Sequence, residues 1–146
     1  RQITLDVSLS PEPAPVFGDR IQLQQVVLNL LMNACEAVRL VDADRRYVQL
    51  TTNLEDGLVV VSVSDGGVGI GDGLLEKMFE PFYTTTEGMG LGLSICRTII
   101  DAHGGQLSAR RNHDRGLTCW FSLPGLPLTA ETPEPATRMV RLGTWN

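Results

Sequence analysis

The 146-residue sequence contains no apolar run near the roughly 20 residues needed to cross a bilayer. It opens on neither a signal peptide nor an initiator methionine, so the expectation is a cytoplasmic piece of a longer protein. Cysteine is scarce. Cys35, Cys96 and Cys119 stand apart among apolar neighbours, with no CxxC pair and no Cys/His cluster. That spacing gives no disulfide framework and no zinc site, and fits buried, reduced thiols. Positive charge is also short: 12 Lys and Arg against 17 Asp and Glu, a net charge of −5. An acidic surface argues against a nucleic-acid platform and against direct contact with an anionic membrane.

What is present is an ordinary globular balance, 42% hydrophobic and 20% charged, in the length of one domain. "QITLDVSL" places Ile3, Leu5, Val7 and Leu9 in alternation with polar residues, which predicts a half-buried strand. "SPEPAPVFG" breaks that pattern with three prolines. Asp19, with Gln22 three residues on, reads as a capping box opening a helix that runs to about Leu40. "YVQLTTNL" and "GLVVVSVSD" read as strands joined across Glu55-Asp56-Gly57, a hairpin signal. A short helical piece, "LLEKMF", follows a glycine-rich loop, and "GLGLSICRTIIDAHGG" predicts a helix closed by glycine. "GQLSARR" and "GLTCWFSLP" read as two more strands around the turn "NHDRG". This order predicts an α+β fold, a two-layer sandwich of a mainly antiparallel sheet with helices on one face. Residues 1–124 would form the domain, and 125–146, rich in Pro and Thr, a tail or linker.

The first helix carries a second, polar stripe beside its apolar one. Gln22, Gln25, Asn29, Asn33 and Glu36 recur at spacings of three and four. With Leu28, Met32 and Cys35 widening the apolar side, the helix reads as mostly buried. An unpaired buried amide costs roughly 1–3 kcal/mol, so the stripe then needs a partner. A plain solvated face is the alternative. Asparagines one turn apart are poor helix formers, and an asparagine carbonyl binds a hard cation without adding charge.

Asp65 ends an apolar strand and is followed by Gly66, Gly67 and Gly69. A carboxylate there can accept a hydrogen bond from a flat ligand that slides over side-chain-free backbone, although a plain turn has the same composition. The acidic spacing of a calcium loop is missing. Gly88, Gly90 and Gly92 lead into a helix start, where free N–H groups attract phosphate. No Gly-Lys-Ser/Thr follows them and no strand precedes them, which removes the P-loop and the dinucleotide fingerprint.

In order, these segments resemble the ATP-binding catalytic domain of two-component sensor histidine kinases, within the superfamily shared with gyrase, the MutL repair proteins and a class of heat-shock chaperones. "LQQVVLNLLMNACEA" resembles the asparagine box, "DGGVGI" the first glycine box, "FEPFYTT" the phenylalanine box and "GMGLGLSI" the second glycine box. The likeness covers about Ile3 to Pro124. It implies the Bergerat ATP-binding fold, with a mixed sheet. It also implies that Asn33 holds Mg²⁺ against the triphosphate of ATP, assisted by Asn29, and that Asp65 accepts the adenine amino group. Gly67, Gly69 and Ile70 would border the base and Thr118 would support its end. Phe79 to Gly88 would form a lid, with Phe82, Tyr83 and Thr84 lining it. Gly88, Gly90, Leu91, Gly92 and Leu93 would cradle the phosphates, and Glu36 would border the nucleotide. The implied reaction donates the γ-phosphate to a histidine on a separate dimerisation and phosphoacceptor domain of the same parent. A response-regulator receiver domain would be the next partner.

Two positions refine that implication. Where the related ATPases carry a glutamate that activates water, this chain has Asn29, and an amide is no base. Transfer to a histidine needs none, because a neutral imidazole attacks with its own lone pair. Lids of this type commonly carry a lysine where Thr86 stands, followed here by Glu87, which should weaken anion binding. Lys77 or Arg97 could supply the charge instead. The alternatives are a nucleotide-binding module disabled at the lid, favoured by Thr86, and a superfamily ATPase, disfavoured by Asn29. Neither histidine reads as the acceptor: His103 sits at a helix end and His113 in a turn.

Overall fold

The computed structural model describes residues 2–12, 14–71, 73–81 and 92–126, and the strand at Met139–Leu142. Strand β1 (Thr4–Ser8) is followed by β2 (Ala14–Phe17) and helix α1 (Arg20–Val38). Then come β3 (Tyr47–Glu55), β4 (Leu58–Asp65), helix α2 (Gly92–Ala102), β5 (Gln106–Arg111), β6 (Leu117–Pro124) and β7 (Met139–Leu142). Two single 3₁₀ turns, Ala43–Arg45 and Lys77–Phe79, lie between them. The main sheet has the order β1-β3-β4-β6-β5. The β1–β3 pair is parallel and the other pairs are antiparallel, so the sheet is mixed, as expected.

Local chemistry accounts for most boundaries. The Asp19 carboxylate accepts hydrogen bonds from the N–H groups of Ile21 and Gln22, which opens α1 one residue later. Asp56 and Gly57 both take positive φ, 50° and 78°, the two-residue turn that a tight hairpin requires. Alternation along β4 sends Val59, Val61, Val63 and Asp65 to one buried face. There they meet Leu23, Val27, Leu30 and Ala34 of α1, Ile100 of α2, and Phe121 and Leu123 of β6 in one core. The helices touch each other, and α1 lies over β3 and β4.

Three expectations need correction. The alternation of β1 does not mark a half-buried strand: all five residues are exposed, Leu5 at 55% and Val7 at 46%. Among the described residues β1 is an edge strand that pairs only with β3, outside the part of the sheet covered by α1. The proline-rich stretch before α1 holds β2, whose Ala14 and Val16 are fully buried. A two-stranded pair suits Pro15, which has no N–H to donate; its carbonyl accepts from Leu126 at 2.9 Å. Part of the expected tail also returns to the fold, because β7 runs antiparallel to β2 from Ala14–Leu142 to Phe17–Met139.

Candidate functional site

One flank of α1 organises the site. Asn29, Asn33 and Ala37 follow at one-turn intervals, and each meets something different. Asn29 donates from Nδ2 to the buried sulfur of Cys96 on α2, 3.6 Å away. The Cys96 thiol lies 3.9 Å from the Val26 carbonyl, which can only accept, so the thiol proton is directed there. The sulfur then has only lone pairs for Asn29. Asn29 must present its N–H side, and its carbonyl turns away.

At the other end, Ala37 lies in the last turn of α1, where helix carbonyls have no partner within the helix. Its oxygen accepts from the N–H of Val68 at 3.3 Å. Gly67 lies against the same turn: a Cβ there would stand 2.5 Å from the Ala37 oxygen. Between the two contacts sits Asn33. It is exposed, and its side chain has no hydrogen-bond partner among the described residues. Helix α2 therefore closes on one end of this flank and the glycine loop on the other, with Asn33 between them and bonded to neither.

That geometry gives Gly67 a structural role of its own. The glycine lets the loop touch α1, a contact that the sequence did not reveal. Gly67→Ala is expected to force loop and helix apart, since the new carbon meets backbone atoms that cannot rotate away. The predicted loss is about 1–3 kcal/mol of stability, by analogy with overpacked cores, together with weaker nucleotide binding. Thermal melts and titrations against Gly71→Ala test this, because a Cβ at Gly71 meets only Leu74 at 3.4 Å. Equal behaviour of the two variants would contradict it.

Asp65 is 4% exposed at the end of β4. Its Oδ1 accepts from the N–H of Gly67 at 2.8 Å, and the backbone N–H of Leu117 also bonds the carboxylate. Burial raises its pKa above the ordinary aspartate value, and these two donors oppose the rise. Gly69 adopts φ 73°, a left-handed turn suited to glycine. Ile70 and Leu93 are half-buried against the core, and Gly92 opens α2.

Other sequence-derived site residues fall elsewhere. Thr118 is paired in register with Ser64, and their hydroxyl oxygens lie 2.9 Å apart. Adjacent strand residues alternate, so Thr118 shares the Ser64 side of the sheet while the Asp65 carboxylate points to the other. Leu117 is the residue nearest Asp65 along β6. Glu36 forms an exposed ion pair with Arg39 at 3.0 Å, one turn along the helix. The polar stripe as a whole is wetter than expected: Gln22, Gln25 and Asn33 are exposed, as are Leu28 at 56% and Met32 at 60%. Phe82, Tyr83, Thr84, Thr86, Glu87, Gly88, Gly90 and Leu91 lie outside the described residues. Of the cations considered as substitutes, Arg97 sits 5.6 Å from the centroid of the Phe79 ring, a cation–π contact.

Both ring nitrogens of His103 are engaged. Nδ1 lies 2.7 Å from the Ile99 carbonyl and so carries the proton, while Nε2 accepts from the N–H of Asp19 at 3.0 Å. His103 thus caps α2 and ties it to the start of α1. Cys96 and Cys119 are buried, whereas Cys35 is half-buried, which corrects the expectation for that thiol. Burial, with the nearby Asp65 and Cys96, pushes the Cys119 thiol up to about 12. Three contacts gave no signal in the sequence: Cys96 with Asn29, and Asn112 and Gly116 against Asp65. Only the β4–β6 register and the packing of α2 bring them together.

Among the described residues, no group of three or more His, Cys, Asp or Glu could hold a metal ion. The Asn33 carbonyl, with no hydrogen-bond partner among the described residues, is an oxygen of the kind a hard cation takes.

A mixed five-stranded sheet, a buried strand-end carboxylate and an asparagine flank closed by a glycine loop define an ATPase-type nucleotide domain. The chain belongs to the histidine kinase-, DNA gyrase B- and HSP90-like ATPase family, whose pattern matches residues 18–127. Its relatives are sensor kinases. It is 43% identical over 126 residues to the sensor protein FixL of Bradyrhizobium diazoefficiens, covering 85% of this chain and 25% of that protein. It is 37% identical over 125 residues to the sensor protein TdiS of Thauera aromatica, covering 84% of this chain and 23% of that one. Among solved structures, the catalytic domain of histidine kinase ThkA superposes with a TM-score of 0.73 at 38% identity, over 86% of this chain and 82% of that one. Full-length ShkA in complex with AMPPNP gives 0.72 at 32% identity, over 88% of this chain and 26% of that one. The chain thus spans about a quarter of the length of these curated relatives.

Proposed function

We propose that this chain is the cytoplasmic catalytic, ATP-binding domain of a sensor histidine kinase, and that it hands the γ-phosphate of ATP to a histidine on a separate phosphoacceptor domain. The observation that carries this reading is the flank of α1, where Asn29 meets α2, Ala37 meets the loop after Asp65, and Asn33 between them has no hydrogen-bond partner among the described residues. The Asp65 carboxylate accepts the adenine amino group. Asn33 offers its carbonyl to the Mg²⁺ that accompanies the triphosphate. Bound there, the ion neutralises charge that develops on the phosphate oxygens.

Asn29 favours transfer over hydrolysis. Its amide cannot take a proton from water, and its N–H side is already committed to Cys96. The acceptor imidazole supplies the electron pair that forms the new N–P bond. The bond from the γ-phosphorus to the bridging oxygen breaks, and ADP leaves with that pair. The domain's contribution is to hold the base, the metal and the phosphates in line. A receiver domain would take the phosphoryl group onward.

Incubation with γ-labelled ATP tests this. The chain alone is expected to acquire no acid-labile label and to release little phosphate. An acceptor domain supplied in trans is expected to become labelled. Label on His103 or His113, or steady phosphate release without acceptor, would overturn it. His103 is a poor nucleophile, since both of its nitrogens are engaged.

A further inference from the structure

The β4–β6 ladder ends at the Ser64–Thr118 pair, one residue short of Asp65. What lies beyond it is Asn112, in the turn between β5 and β6. Its Nδ2 is 3.0 Å from the Asp65 carbonyl oxygen, 3.1 Å from Ser64 Oγ and 3.2 Å from the Arg115 carbonyl. Its Oδ1 bonds the Thr118 hydroxyl, and its own N–H donates to the Gly116 carbonyl at 3.0 Å.

The protons in this group can be placed by elimination. Asn112 Oδ1 only accepts, so the single Thr118 hydroxyl proton goes to it. Ser64 then donates to Thr118, and Asn112 donates to Ser64. The result is a closed ring of three side chains, with further donation from Asn112 to the Asp65 backbone. Gly116 permits the approach. With φ 86°, it lies where a Cβ would stand 2.0 Å from the Asp65 carbonyl oxygen. On the β3 side, Asp65 is held by its pairing with Val48, and Gly66 by its N–H bond to the Tyr47 carbonyl at 3.2 Å. On the β6 side, Asn112 holds the Asp65 backbone.

We infer that Asn112 is a positioning residue for base recognition: it fixes the backbone of Asp65 so that the carboxylate meets the adenine amino group at one distance and angle. This rests on Asp65 being the base-binding carboxylate, and the test separates the two. The hydrogen bonds of Asn112 among the described residues go to the Asp65, Arg115 and Gly116 backbones and to Ser64 and Thr118, and none to the Asp65 carboxylate. Loss of Asn112 should therefore act on base selectivity through Asp65 and leave binding of the triphosphate intact.

The experiment is calorimetric titration of ATP and of inosine triphosphate, whose 6-oxo group is an acceptor where ATP carries the 6-amino donor. The proteins are wild type, Asn112→Ala, Thr118→Val, Asp65→Asn and the Asp65→Asn/Asn112→Ala double variant, each checked by thermal melt. Asn112→Ala is expected to weaken ATP binding roughly five- to tenfold, the worth of one hydrogen bond, with inosine triphosphate unchanged. Thr118→Val removes the anchor of Asn112 Oδ1 and should shift ATP the same way by less. In the Asp65→Asn background, Asn112→Ala should have no further effect on ATP. Equal weakening of both nucleotides by Asn112→Ala and Thr118→Val would make Asn112 merely structural and overturn the inference. So would a full ATP effect that persists in the double variant. If Asp65→Asn itself keeps the preference for ATP, the base-binding reading fails, and this inference falls with it.

Discussion

Asp65→Asn is expected to reduce ATP affinity by about ten- to a hundredfold, the range for a hydrogen bond to a charged group. The position is 4% exposed, so water cannot replace the lost acceptor cheaply. An amide in its place turns one acceptor oxygen into a donor, which faces the adenine amino group with the wrong polarity. The same carboxylate gives a pH signature. Burial raises its pKa above the usual aspartate value. As pH falls through that raised value, protonation removes the charge and adenosine binding should weaken. Folding runs the other way. A folded pKa above the unfolded one means that protonation favours the native state, so the Asp65 contribution to stability improves as pH drops towards the unfolded value. Adenosine is the ligand of choice for this profile, because it has no phosphates to titrate. Asp65→Asn should flatten the profile in that window. A profile unchanged by the substitution would remove Asp65 from base recognition.

The helix-and-strand order was legible because each element carries a local cause. Asp19 caps α1, Asp56-Gly57 turns the hairpin, and β4 alternates cleanly between core and outer face. β1 misled because alternation reports a strand with two unlike faces but not whether anything covers them. A polar–apolar repeat on an edge strand outside the helix layer looks the same as one over the core. β2 and β7 were hidden by proline and threonine, which read as loop and tail.

Within the candidate site, only neighbours in sequence could be placed together in advance. Asp65 and Gly67 stand in one short loop, and the structure brings them together with the flank of α1 that holds Asn33. Thr118 shows the limit. Only the register tells which face of β6 a residue takes, and a shift of one position separates Leu117, beside Asp65, from Thr118, which shares the Ser64 side. Asn112 was unreadable for the same reason. An asparagine in a polar turn carries no mark of the strand end it holds, 47 residues away in sequence.

Asn33→Ala should produce the largest metal-dependent effect, and its logic is subtractive. Asn33 is exposed and bonds to nothing among the described residues, so its removal leaves no buried group unpaired. Alanine is also the better helix former, so the fold should be as stable as wild type or slightly more so. Any loss of function is then a loss of ligand contacts. The carbonyl is the part suited to a hard cation, and removing one ligand from a shared Mg²⁺ is expected to weaken Mg-ATP binding about ten- to a hundredfold. Metal-free adenosine should bind Asn33→Ala as it binds wild type. ATP in the presence of chelator should lie close to wild type as well, because the contact removed is to the ion. Phosphoryl transfer to an acceptor domain should fall at least as far as Mg-ATP affinity, since the ion also neutralises charge on the reacting phosphate. The measurement is a set of calorimetric titrations with Mg-ATP, ATP plus chelator, and adenosine, alongside a thermal melt. Equal losses for Mg-ATP and adenosine would take the metal away from Asn33 and leave it a wall of the cleft. A large fall in melting temperature would show that the side chain has a structural partner instead.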